Sequence, residues 1–369
     1  MKILHVNSYY YGSKFYKNLY DRQVENGLNI DVYVPVSSAE NLVEFKLGDY
    51  TTFSATYQKY DRLFFHLKHN KILRDIVEKY NISEFSLMHA HSLFSNGYVS
   101  MKLSQKYNLP YIVAVRDTDV NLFFRKMPHL RKLGIDILKR AKKIVFLSKG
   151  YKEEVIENYV PNKLKESIYK KTAIIPNGID NYWFDNIGVE KKTPSNFELK
   201  LLCVGVINKR KNISTTIKAI EILQKKGYNI KFTAVGKIED NEIFSEIKDL
   251  PYLNYISQQS REGLKDIYQK NDIFVLPSIT ETFGLVYPEA MSQGLPIIYS
   301  KGQGFDRQFE NGEVGYTVCS TSATDIANEI QNVLVNYDKL SRNCIEKVNN
   351  FRWDSIEEQY TALYLKLIK

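Results

Sequence analysis

The chain has 369 residues, 44% apolar and 25% charged, with 51 Lys and Arg against 42 Asp and Glu. That suffices for two ordinary domains and excludes a disordered or collagen-like chain, and no apolar run reaches the ~20 residues of a membrane span. Cys203, Cys319 and Cys344 are widely spaced, which fits a reducing cytoplasm and argues against a disulfide scaffold or zinc site. The opening MKILHVN reads as a strand and is too short for a signal-peptide core. Residues 1–180 hold 28 Lys and Arg against 18 Asp and Glu, whereas the remainder is nearly neutral. A basic surface of this kind suits nucleic acid, anionic lipid or an anionic substrate. No nucleic-acid-binding motif is present, so lipid ranks first, at the inner face of the cell membrane.

In chain order, apolar strand candidates fall at residues 2–7, 30–36, 86–91, 111–116, 143–148 and 173–176. The segments between them are mostly long enough for helices, the pattern of a parallel, doubly wound sheet. Asn177-Gly178 then marks a turn, and the TPSN of 193–196 reads as a linker. The pattern restarts at 199–204, 230–235, 253–256, 273–276, 295–299 and 315–318, with helical periods over 211–224 and 261–270 and an amphipathic helix over 353–367. The reading is α/β, two Rossmann-like domains in tandem, residues 1–180 and 181–352, facing an interdomain cleft.

Several features of the first half carry candidate chemistry. Gly12 follows the first strand, where a glycine lets a phosphate approach the backbone; an ordinary turn is the alternative. Tyr9, Tyr10, Tyr11, Phe15 and Tyr16 surround it, to stack on sugar rings or to pack the loop. His89 and His91 alternate on one strand face, but no third ligand lies nearby and a metal site needs three or four, so a packed or hydrogen-bonded role is expected. Asp117-Thr118-Asp119 after Arg116 superficially matches a metal-binding D-x-D. Tandem Rossmann patterns favour a polar loop at the cleft instead, with Arg116 available to an anion; Asp119 as a helix cap is the alternative. Residues 123–149 hold nine Lys and Arg and one acid. With 60–79, they read as basic amphipathic helices for an anionic bilayer or as solvated faces.

In the second half, Gly205 is followed by Lys209, Arg210 and Lys211 at a helix start, a place for a diphosphate. The stretch 271–300 reads as strand, loop, short helix and strand. Pro288 fits the helix's first turn and Gly294 stops it. Glu281 sits in the loop and Glu289 in the helix. Such carboxylates can accept from sugar hydroxyls and a ribose diol; the alternative is that Glu281 caps the helix and Glu289 is solvated.

Taken together, MKILHVN, His89-Ala90-His91, the RDTDV loop, IVFLS, IPNGID with Phe184, Gly205 to Lys211, the E-x7-E of Glu281 and Glu289, and Phe351-x-Trp353 resemble glycosyltransferase family 4 over nearly the whole chain. The resemblance implies a GT-B, retaining, metal-independent hexosyl- or N-acetylhexosaminyltransferase with no cofactor. Its co-substrate would be a nucleotide-sugar, most commonly a UDP-sugar, and its acceptor a glycan or lipid-linked hydroxyl in cell-surface polysaccharide synthesis. It also implies that the closing helix, 353–369, packs back on the first domain. Glu289 would bind the ribose and Glu281 the donor sugar, helped by the backbone of Phe283, Gly284, Leu285 and Val286, while Lys211 neutralises the diphosphate. Arg210, Gly205 and Gly12 complete the donor set; Asp117, Asp119, His91 and Tyr11 face the acceptor, and Arg116 stands with Glu281 and Lys211 at the reacting centre. Two positions depart from the family: Val206 replaces a usual arginine, with Arg210 as substitute, and Arg116 replaces a frequent histidine and cannot serve as a base. A nucleotide-sugar epimerase of the same fold and a non-catalytic binding member are the alternatives.

Overall fold

Buried runs rich in Val, Ile and Leu build two parallel sheets, one in each of two units. A computed structural model describes residues 1–10, 14–37, 47–194 and 198–368. The first unit comprises Met1–Leu147, Tyr151–Pro176 and Trp353–Lys369; the second comprises Ser148–Gly150 and Asn177–Arg352.

The first sheet contains β1 (Lys2–Val6), β2 (Asn29–Ser37), β3 (Thr51–Tyr57), β4 (Leu87–Ala90), β5 (Tyr111–Val115), β6 (Lys143–Phe146) and β7 (Thr172–Ile174), ordered β3-β2-β1-β4-β5-β6-β7. The second contains β8 (Glu198–Val204), β9 (Asn229–Val235), β10 (Leu253–Ile256), β11 (Ile273–Leu276), β12 (Ile297–Ser300) and β13 (Gly315–Val318), ordered β10-β9-β8-β11-β12-β13. Every pairing is parallel. In each unit strand order reverses beside the first strand, between β1 and β4 and between β8 and β11. That switch point opens a crevice beyond the carboxyl ends of the strands.

Helices cover both faces of the first sheet, so its strands are apolar on both sides. Along β5, Tyr111, Val113 and Val115 enter one core layer, while Ile112 and Ala114 enter the other. Each fully buried aliphatic side chain contributes about 1.5–3 kcal/mol. The closing helix Trp353–Ile368 lies in the second of these layers through Trp353, Ile356, Tyr360 and Tyr364. It is fixed by Arg22 Nε to Asp354 Oδ1 at 2.5 Å and by Asn26 Nδ2 to Glu357 Oε2 at 2.6 Å.

Three features differ from the sequence reading. β3 was not anticipated. Its TTFSATY has no continuous apolar run, because it is an edge strand with only Ser54 and Tyr57 buried. The basic amphipathic helix read within 123–149 is confined to Arg131–Arg140, after a helical turn that ends at Phe124 and before β6, which is the strand expected at 143–148. The apolar side of that helix, Ile135, Ile137 and Leu138, is buried in the core, so it offers no face to a bilayer. The helix expected from Lys211 begins at Ile213, because Asn212 takes a left-handed conformation, φ 59°.

Candidate functional site

At the second unit's switch point the loops after β8 and β11 meet. Gly205 follows β8 directly, tight against Gly236: a Cβ on Gly236 would stand 2.0 Å from the Gly205 carbonyl oxygen. The chain passes Val206 to the helical turn Lys209–Lys211, capped by Asn208, whose side chain accepts the Lys211 amide at 3.0 Å. Asn212 donates its side-chain amide to the Pro277 and Ser320 carbonyls at 2.9 and 2.6 Å, pinning this turn to the β11 loop. Lys211 folds back over Gly205, and any Cβ there would press within 3.2 Å of Lys211 Cε.

Lys211 Nζ meets Glu281 Oε2 at 2.5 Å, with the two residues 9% and 5% exposed. A buried ion pair is tolerated only when its remaining polar atoms are also bonded. Ser278 Oγ donates to the same carboxylate oxygen at 3.1 Å. Arg210 stands 3.9 Å from Oε1 and donates to the Thr280 carbonyl at 3.2 Å, so the cation next to Lys211 reaches this cluster where Val206 cannot. Glu281 does not cap the helix. Its amide donates to Gln303 Oε1 at 3.0 Å, and its carbonyl accepts the Gly304 N–H at 3.0 Å. A Cβ on Gly304 would fall 1.8 Å from the Thr282 carbonyl oxygen. This Gly302-Gln303-Gly304 support escaped the sequence reading; two glycines directly after β12 were its signal.

Phe283 is buried, its ring 5.6 Å from Phe305 and 5.8 Å from Phe351. Gly284 has φ 76°, and a Cβ there would strike the Tyr287 ring at 2.4 Å, so only glycine fits. Leu285 precedes the helix Val286–Ser292, with Pro288 and Glu289 in its first turn; there the Tyr287 and Glu289 amides donate to the Gly284 and Leu285 carbonyls at 2.9 and 3.1 Å, and Pro288 has no N–H to offer. Glu289 is half-buried and accepts from Tyr268 Oη at 3.4 Å. Burial pushes its pKa up to about 7 against the opposing pull of Tyr268, Trp183 and Arg261. Arg261 in turn pairs with Asp180 at 3.0 Å. Trp183 and Tyr268 were not anticipated as partners of Glu289; a rare tryptophan shortly after the IPNGID segment was the available signal.

The first unit's switch point is built differently. The parallel register sets His5 opposite His89. His5 Nδ1 and His91 Nε2 lie 3.0 Å apart, Tyr20 Oη is 3.1 Å from the same His91 nitrogen, and His89 Nδ1 is 2.7 Å from Tyr364 Oη. This corrects the expectation that no third imidazole lies near His89 and His91. All three are fully buried, with His5 Nε2, His89 Nε2 and His91 Nδ1 unpartnered among the described residues. One ligand atom from each lies within 4.8 Å of the others, so the trio could hold a metal ion. Burial drives the pKa of His5 down to about 3 and those of His89 and His91 well below the usual value. They are therefore neutral, the ligating form, although the charge of Arg116, which also lowers the pKa of His89 and His91, disfavours a dication.

Arg116 follows β5, is 6% exposed, and donates from Nε to the His91 carbonyl at 3.3 Å. Its guanidinium lies 5.9 Å from the Tyr16 ring centre. Asp119 is buried and accepts the amides of Leu93, Phe94 and Arg116 at 2.9, 3.0 and 2.9 Å. Burial raises its pKa to about 6 against those amides. Asp117 accepts from Tyr151 Oη at 3.1 Å and from Asn121. The two carboxylates thus serve separate structural bonds. Tyr11 and Gly12 lie outside the described residues, as does part of the expected 193–196 linker.

Tyr60, Leu63, Phe64 and Leu67 are exposed, at 78%, 79%, 62% and 48%. No helix among the described residues is long and apolar enough to cross a membrane.

Residues 12–181 match the family model described as Glycosyltransferase Family 4, and residues 189–351 match Glycosyl transferases group 1. An uncharacterized glycosyltransferase of Methanocaldococcus jannaschii, MJ1178, is 24% identical over 89% of this chain and 93% of its own length. The alpha-monoglucosyldiacylglycerol synthase of Acholeplasma laidlawii is 26% identical over 65% of this chain and 64% of its own. Among solved structures, Anabaena Alr3699/HepE in complex with UDP and glucose superposes with a TM-score of 0.68 at 15% identity, covering 99% of this chain and 100% of that one. With two Rossmann-like units and a family match in each, the chain belongs to the GT-B glycosyltransferases of the family 4 type.

Proposed function

We propose that the chain transfers a sugar from a UDP-sugar to a hydroxyl of a glycan or lipid-linked acceptor, with retention at the anomeric carbon and without a metal. The observation that carries this reading is the buried Lys211–Glu281 pair set between the Gly205 turn and the first turn of the Glu289 helix. A diphosphate is the stronger partner for Lys211, because it offers several anionic oxygens. Taking that place would release Glu281 to accept from the donor's hydroxyls. Glu289 would accept from the ribose diol. The acceptor oxygen then bonds to C1 on the face from which the leaving group departs. The bond from C1 to the phosphate oxygen breaks, and the acceptor proton passes to that oxygen, giving a glycoside and UDP. Lys211, Arg210 and the helix amides stabilise the developing charge, each such donor being worth about 3–4 kcal/mol.

The enzyme acts at the cytoplasmic face of an anionic membrane in this reading. Support comes from the exposed Tyr60, Leu63, Phe64 and Leu67 beside Lys59, Arg62 and Lys68, an apolar patch rimmed by cations. The glycolipid synthase among the relatives points the same way.

A panel of UDP-, GDP- and ADP-sugars, scored by thermal stabilisation and slow hydrolysis, tests the transfer; stabilisation led by UDP-sugars is expected, and a flat panel ends the reading. Following the donor by NMR without acceptor separates a transferase from an epimerase. Co-sedimentation with phosphatidylglycerol vesicles should fall steeply with salt and be lost in Leu63→Glu/Phe64→Glu.

A further inference from the structure

We infer that the first unit holds a binding site for an oxyanion, a phosphate or carboxylate carried by the acceptor, centred on the Arg116 guanidinium. The inference rests on the glycosyltransferase reading and narrows its acceptor class.

Arg116 is 6% exposed, and a guanidinium stays protonated at any working pH. An ion removed from water to that degree costs several kcal/mol unless an opposite charge meets it. None does: among the described residues no carboxylate lies within 4.0 Å of its nitrogens. Its protein neighbours are the His91 carbonyl, the Tyr16 ring and the Tyr360 hydroxyl. Asp119 is within electrostatic reach, but its carboxylate is committed to three backbone amides. The imidazoles behind it are neutral, as burial dictates.

Position supplies the second argument. Arg116 follows β5, and Tyr9 and His91 follow β1 and β4, so all three stand at the carboxyl ends of the strands, where α/β sheets take ligands. Tyr9 lies within electrostatic reach of Arg116 and is 37% exposed. A planar fork of donors backed by aromatic rings matches a phosphate or carboxylate bidentately. The cationic excess of residues 1–180 would draw such an acceptor in.

The test titrates inorganic phosphate, and separately acetate, into the full chain with UDP at saturation to occupy the second unit, read by thermal shift. Phosphate binding should weaken about ten- to hundredfold in Arg116→Gln and less in Arg116→Lys, which keeps the charge but loses the fork. UDP affinity should be unchanged in both. A preference for phosphate or acetate identifies the group carried. Unaltered phosphate binding in both variants overturns the proposal. So does an equal loss of UDP affinity, which would assign the charge to the donor's diphosphate. Should Arg116→Gln not fold, the loss in Arg116→Lys relative to the unsubstituted chain decides alone. If the unsubstituted chain binds no nucleotide, the transferase reading fails, while the phosphate comparison still reports on Arg116.

Discussion

Lys211 and Glu281 meet at 2.5 Å in the second unit, whereas Arg116 in the first has a carbonyl, hydroxyls and an aromatic ring for company. Both clusters stand at the switch point of the same kind of parallel sheet. Strand order therefore decides where a ligand goes, and the loops after the strands decide which charge awaits it. The second unit offers a self-satisfied pair that a diphosphate can divide. The first offers one cation, backed by three neutral imidazoles, with no carboxylate among the described residues within 4.0 Å of its nitrogens.

The sharpest way to break this contrast is to divide the pair. Lys211→Ala should lower kcat about 10²–10³-fold. It should also shift the urea midpoint down, because Glu281 would lose its close cation and keep the more distant Arg210 and the Ser278 hydroxyl, at a cost of up to about 3–5 kcal/mol. Lys211→Met/Glu281→Gln should recover the midpoint without recovering turnover. If the double variant stays as unstable as the single one, the pair is not self-satisfied and the contrast fails.

Acid separates the units next. His5, His89 and His91 have folded pKa values below the unfolded 6.5, so the unfolded chain takes up more protons and stability is lost as pH falls from 6.5 toward 3. Glu289 has the opposite sign: with its folded value raised from 4.5 to about 7, its contribution is present below 4.5 and lost as pH rises through 7. Asp119, raised from 3.8 to about 6, runs against the histidines inside the first unit. Arg116 keeps its charge, and the hydroxyls of Tyr20 and Tyr364 stay neutral in this range. Hydrogen exchange between pH 7 and 5 should show the first unit losing protection by up to about tenfold per pH unit for each proton taken up, while the second does not. Replacing all three histidines by Gln should lower that slope, leaving the share of His69, whose pKa burial also pushes down to about 4.

The smallest effect concerns Glu289 alone. A carboxylate titrating near 7 accepts both hydroxyls of a ribose diol only when ionised, since protonation turns one of its oxygens into a donor. UDP affinity should therefore fall about tenfold from pH 8 to 6, and Glu289→Gln should bind weakly at both. An affinity unaffected by pH would remove Glu289 from the nucleotide site.

Much of the fold could be read from the chain, because central strands buried on both faces must be continuous apolar runs, as in β5 and β11. The edge strand β3 carries little of that signal. The segment 123–149 misled because its cations lie on the surface of a helix whose apolar side is already covered. At the candidate site, Gly284 was legible because its φ of 76° and the Tyr287 ring admit glycine alone, whereas the Lys211–Glu281 ion pair joins two loops and was not. Nor was His5: its partners lie far along the chain, and only the parallel register of β1 on β4 joins them. Trp183 and Gly304 were hidden for the same reason, since each supports a glutamate from a different loop, Trp183 at the Glu289 carboxylate and Gly304 at the Glu281 backbone carbonyl.

The closing helix Trp353–Ile368 belongs to the first unit, although the second unit's chain precedes it. During synthesis, every residue of the second unit therefore leaves the ribosome before the first can be finished. Until the last turns emerge, His89 lacks the Tyr364 hydroxyl, and Arg22 and Asn26 lack Asp354 and Glu357. A premature stop or a protease acting on this tail would therefore strike the Arg116 unit, leaving the Lys211–Glu281 unit with its full complement of residues.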